Sequence, residues 1–85
     1  MTDNQTHTNK KAQNVVQFEQ SFNEIVQKIV LHRKDAKLTQ EQVAKILQID
    51  RRKIIALEAG IMDVDTMLKA ADLLGINTKL NFEID

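Results

Sequence analysis

Leu38-Thr39-Gln40-Glu41-Gln42-Val43-Ala44-Lys45-Ile46-Leu47-Gln48-Ile49-Asp50-Arg51-Arg52-Lys53-Ile54-Ile55-Ala56-Leu57-Glu58-Ala59-Gly60 holds two helix starts and one helix stop. Thr39 with Gln42 three residues on is a capping-box pattern, in which each side chain satisfies a free backbone N–H at a helix start. Val43, Ala44, Ile46 and Leu47 then supply the buried side of a short helix. Gln48 and Ile49 turn the chain, and Asp50 is a cap for the next helix, Arg51 to Ala59, which buries Ile54 and Leu57. Gly60 supplies the left-handed conformation that commonly ends a helix. Two short helices joined by a tight turn are therefore expected here, the second opening on three consecutive cations.

Working outward, Ser21 and Glu24 make another capping-box pattern ahead of a helix over Phe22 to Lys34. Phe22, Ile25, Val26, Ile29 and Val30 recur on one face, and His32, Arg33 and Lys34 suit the negative end of its dipole. Asp35 to Leu38 is a tight connection. Downstream, Asp63 or Asp65 starts a fourth helix over Thr66 to Leu74, with Met67, Leu68, Ala71 and Leu74 inward and Gly75 as its stop. The period then changes. Leu80, Phe82 and Ile84 alternate with Lys79, Asn81 and Glu83, as in a half-buried strand. A lone strand leaves its backbone groups unpaired. Pairing with the same strand of a second subunit is the simplest remedy, and packing on its own domain is the other. The division expected is a disordered polar tail at 1–16, a helical domain at 17–77 and a dimerisation strand at 78–85.

With 85 residues the chain makes one domain of modest core. It has no cysteine to staple it, so association into a dimer is the expected support. No run of about 18 apolar residues is present to span a membrane. Met1 to Lys11 lacks the apolar segment of a signal peptide, and a cytoplasmic, nucleoid-associated location is the expectation.

The formal net charge is zero, but the charge is unevenly spread. Lys28 to Lys53 carries eight cations against Asp35, Glu41 and Asp50, whereas Ile54 to Asp85 carries two cations against six acids. One part of the chain suits phosphate and the other repels it. A charge run is ordinarily a solvated face; at the start of the second of two crossed helices it is also what reads DNA. The geometry demands a small Ala44 at the crossing and apolar Ile49, Ile54 and Leu57 to lock it. Arginine can donate two bonds to the O6 and N7 of guanine. The free N–H groups at the starts of the two helices suit phosphate.

Leu38-Thr39-Gln40-Glu41-Gln42-Val43-Ala44, Ile49-Asp50-Arg51-Arg52-Lys53-Ile54 and Leu57-Glu58-Ala59-Gly60, followed by Asp65 to Ile76, resemble the lambda-repressor-like, Cro/C1-type (XRE) helix-turn-helix family over roughly Phe22 to Ile76. The resemblance implies an all-α bundle of four helices, to which the alternating segment adds one C-terminal β-strand. It implies a phosphate contact and a bracing role for Gln40 beside the cap Thr39, base reading from Arg51, Arg52 and Ala56, backbone contacts from Lys53, and a structural Glu58. Three positions depart from the family pattern: Gln48 stands where glycine is common, Ile55 at a place often polar, and Ala59 where a polar group often meets phosphate. Ile55 either meets a thymine methyl or flanks the core.

The final strand, Thr78 to Ile84 with Leu80, Phe82 and Ile84 as its pairing face, is similar to that of HipB-type antitoxins. That likeness implies a homodimeric repressor on a palindromic operator in double-stranded DNA, partnered by a HipA-like kinase toxin. The alternatives are a stand-alone phage or mobile-element repressor, or a protein-interaction module without DNA binding. No catalytic role, metal or other cofactor is expected. His7 and His32 are far apart in sequence, Asp63 and Asp65 look like helix-start residues, and Met62 and Met67 look like core filler.

Overall fold

The computed structural model describes the backbone of residues 2–78 and the side chains of residues 15–78. Four helices make up its regular structure: α1 (Thr2–Asp35), α2 (Gln40–Leu47), α3 (Arg51–Glu58) and α4 (Val64–Leu73). No strand occurs among the described residues, which are all-helical as expected. Leu80, Phe82 and Ile84 lie outside them.

α1 departs most from expectation. It runs back to Thr2, through the segment whose polarity predicts a disordered tail. Ser21 is therefore inside the helix and does not cap it. The reason is that no proline or glycine interrupts Thr2 to Asp35, and the apolar spacing continues upstream from Phe22 to the half-buried Phe18. The cations His32, Arg33 and Lys34 close its last turn as expected.

The short helices start and stop where their caps predict. Thr39 accepts from the Gln42 N–H at 3.0 Å, and the Gln42 side chain accepts from the Thr39 N–H at 2.8 Å. Asp50 caps α3. Of the two candidates for α4, Asp63 is the cap: its carboxylate accepts from the Thr66 N–H at 3.1 Å and the Thr66 hydroxyl at 2.5 Å. Gln48, at φ 57, takes the left-handed position that ends α2 without glycine's freedom. Its N–H and that of Ile49 return to Lys45 and Ala44, which closes the turn.

Two apolar clusters hold the bundle. Phe22, Ile25, Val26 and Ile29 of α1 meet Leu57, Met67, Ala70, Ala71 and Ile76. Val43, Ala44 and Ile54 form the second cluster, where α2 crosses α3, with Leu38, Ile49 and Leu73 packed around them. Leu47 packs against both. Ala44 is buried at the crossing, as its small size requires.

Three residues expected inside are on the surface. Ile46 is 54% exposed, and Leu68 and Met62 are also open to solvent. An eight-residue helix packed on α3 and α4 from one side buries a narrow stripe; Val43, Ala44 and Leu47 fill it, and Ile46 falls outside. Met62 lies in the link before α4, and Leu68 on the side of α4 away from Met67 and Ala71.

Candidate nucleic-acid interface

The two crossed helices are clamped by one polar network. Arg33, in the last turn of α1, donates from Nε to Glu58 Oε2 at 2.6 Å and from Nη2 to Glu58 Oε1 at 2.9 Å. Its Nη1 donates to the Leu38 carbonyl at 2.8 Å. Gln40, the first residue of α2, donates from Nε2 to Glu58 Oε1 at 3.1 Å. The Glu58 carboxylate at the end of α3 thus ties down α1 and the start of α2, while Arg33 holds the α1–α2 link. The pair is well shielded, the Arg33 and Glu58 side chains being 11% and 9% exposed. Hydrogen bonding to Glu58 raises the Arg33 pKa above its already high ordinary value, so the guanidinium is permanently charged. Glu58 is structural here, and Gln40 has the bracing position.

α3 turns Ile54 and Leu57 into the apolar core and Glu58 toward Arg33 and Gln40, and its other residues face outward. At 3.6 residues per turn, Arg52, Ile55, Ala56 and Ala59 share the face opposite those two, with Arg51 and Lys53 on its flanks. Arg51, Arg52, Lys53 and Ile55 are exposed and Ala56 is half-buried. Ile55, 41% exposed, belongs to this outer face rather than to either core cluster. Lys45 adds an exposed cation in the last turn of α2, and Thr39 is exposed at its start. An open groove runs alongside α3, lined by Arg52, Lys53, Ala56, Ile61, Met62 and Asp63.

Arg52 is not a free side chain. Asp50 Oδ1 accepts from its backbone N–H at 2.8 Å, and the same carboxylate receives the guanidinium, with Nη2 to Oδ2 at 2.8 Å and Nε to Oδ1 at 3.2 Å. Those Arg52 bonds, the side-chain one foremost, lower the Asp50 pKa to about 2. Among the described residues, Arg52 is the one member of the Arg51–Lys53 run in an ion pair.

The sequence-derived residues Thr39, Gln40, Arg51, Arg52, Lys53, Ile55 and Ala56 all fall on α3 or at the start of α2. What sequence reasoning missed is Arg33 as the partner of Glu58, 25 residues away, and Asp50 as the partner of Arg52. Local spacing carries no signal for the first; an acid two residues before an arginine is a weak signal for the second. Among the described residues, no group of acids, histidines or cysteines is arranged to hold a metal, and no helix is long and apolar enough to cross a membrane.

The profile of a family described as "Helix-turn-helix domain" matches residues 27–82, from the last third of α1 past the end of α4. No curated protein and no solved structure matches the chain. With two capped helices crossed at Ala44 and the match spanning most of its length, the chain belongs to the helix-turn-helix domain family, of the XRE-like kind that its motifs resemble.

Proposed function

We propose that this protein is a sequence-specific DNA-binding transcriptional repressor. The observation that carries the reading is the outer face of α3. It joins three exposed cations to an exposed isoleucine on a helix whose inner face is locked by Ile54, Leu57 and the Arg33–Glu58–Gln40 network. A rigid helix with cations and an apolar side chain turned outward suits the major groove, where base edges offer acceptors and thymine methyls. In this reading Arg51, Arg52, Ile55 and Ala56 face bases, while Thr39, Gln40 and Lys53 hold the backbone. No step of catalysis and no cofactor enters it.

The repressor acts as a homodimer in the cytoplasm on an inverted-repeat operator, its two reading helices about 34 Å apart in successive major grooves. Its finer identity is the antitoxin of a HipB-like system. The sequence supports that identity through the alternating Leu80, Phe82 and Ile84 and through the acidic excess after Ile54, which suits a protein partner better than phosphate.

Selection of bound duplexes from a random pool tests the central claim. The expected product is an inverted repeat whose binding weakens steeply with salt. Recovery of no preferred sequence, together with no retardation of any duplex at low salt, overturns it. Co-purification with the product of a neighbouring gene tests the antitoxin identity separately.

A further inference from the structure

We propose that Asp50 is a specificity-determining positioning residue, which holds Arg52 in one orientation for bidentate recognition of guanine. The inference deepens the DNA-binding reading above and rests on it.

A guanidinium has two edges that can each donate a pair of parallel bonds. Asp50 occupies the side edge, made by Nε and Nη2. The end edge, Nη1 with the second hydrogen of Nη2, points away from the carboxylate. Two parallel donors are what guanine O6 and N7 accept. The carboxylate is itself fixed, because Oδ1 caps α3 by accepting from the Arg52 backbone N–H at 2.8 Å. The guanidinium is thereby referred to the helix axis through a closed loop of backbone, carboxylate and side chain. A long, 86% exposed arginine would otherwise lose rotamer freedom on binding, and this loop has removed much of that freedom beforehand.

The neighbouring cations sharpen the assignment. Arg51 and Lys53 are exposed and in no ion pair among the described residues, so neither is held in a fixed orientation as Arg52 is. Arg52 sits near the middle of the outer face with its end edge uncommitted. The carboxylate stays ionised at any working pH, which keeps the clamp closed. Its negative charge also disfavours a phosphate at that spot, which separates base reading from backbone holding.

The test uses the full chain and the sequence selected from the random pool. Binding is measured to that duplex and to duplexes altered at each guanine, for the wild type, Asp50→Ser, Arg52→Ala and the double variant. Serine keeps a helix cap but cannot reach the guanidinium. Asp50→Ser is expected to lower the preference for one guanine about tenfold, at the position where Arg52→Ala erases it. Binding to unrelated DNA should stay level or tighten, because a negative charge is gone. In the Arg52→Ala background, Asp50→Ser should change the preference at that guanine no further, which a merely structural cap would not predict. Asp50→Thr, which also caps and is too short to reach the guanidinium, repeats the measurement if the serine variant fails to fold. Unchanged guanine preference in Asp50→Ser, or an equal loss with and without Arg52, overturns the inference while the DNA reading stands. A wild type that selects no sequence removes the DNA reading itself.

Discussion

Arg33 and Glu58 are joined by two side-chain hydrogen bonds, at 2.6 and 2.9 Å, and so fix the end of α1 to the end of α3. The pair is largely withdrawn from water, and Gln40 adds a third donor to the same carboxylate. Removing one partner leaves the other charge shielded and unpaired. Glu58→Ala and Arg33→Ala should each destabilise the fold by about 2–3 kcal/mol, below the range for a fully buried pair. Urea unfolding of the two single variants and the double variant measures this. The double variant should lose much less than the sum of the singles.

Gln48 holds the turn between α2 and α3 at φ 57, where a residue with a Cβ is strained. Gln48→Gly should raise stability by about 0.5–1 kcal/mol, the strain relieved exceeding the added freedom of the unfolded chain. Gly60 gives the opposite case. It sits at φ 94 with open space around it, so Gly60→Ala should cost about 1 kcal/mol from backbone strain alone. Denaturation midpoints of both variants check the two signs.

Two caps make stability fall in acid. Hydrogen bonds from Thr66 hold Asp63 below the ordinary 3.8, and those from Arg52 hold Asp50 at about 2. A carboxylate with a depressed folded-state pKa contributes fully above its unfolded value and loses that contribution as pH falls through the folded one. The fold should therefore weaken from pH 3.8 down to about 2. Asp63→Asn keeps a capping oxygen but does not titrate, and should flatten that slope. Thermal melting of the wild type and the variant across this interval tests the sign.

Ile55 and Leu57 are neighbours with opposite assignments. Leu57 is fully buried in the main cluster, so Leu57→Ala should cost about 2–5 kcal/mol and abolish binding along with folding. Ile55→Ala should cost under about 1 kcal/mol, because its side chain is already partly in water. Its DNA preference should nonetheless shift at one thymine, read by repeating the selection. An Ile55 variant with unaltered preference would remove that residue from the reading face.

Truncation after Thr78 removes Leu80, Phe82 and Ile84. If that segment joins two subunits, sedimentation should show monomers, and binding to an inverted repeat should drop to that of a single half-site. A truncated chain that stays dimeric would place the subunit contact elsewhere.

The starts of α2 and α3 were legible because a cap acts over two or three residues, and Thr39, Gln42 and Asp50 carry that chemistry in their own side chains. The apolar spacing likewise marked Val43, Ala44, Ile54 and Leu57 for burial. Local chemistry offered two starts for α4, and the structure uses Asp63. The start of α1 is not legible in this way, since Ser21 and Glu24 have a capping pattern whether or not a helix already runs through them.

The segment from Thr39 to Gly60 determined by itself that this protein carries two capped helices with a basic second start, because each of those features is written in residues close in sequence. Tertiary structure decided the rest. Which apolar residues are buried depends on what packs opposite: α2 contacts its neighbours with a stripe that leaves Ile46 outside. That Arg33 clamps Glu58 depends on chain reversal bringing residues 25 apart within hydrogen-bond reach. The hold of Asp50 on Arg52 is by contrast a local contact across two residues, of which the sequence carries a weak signal.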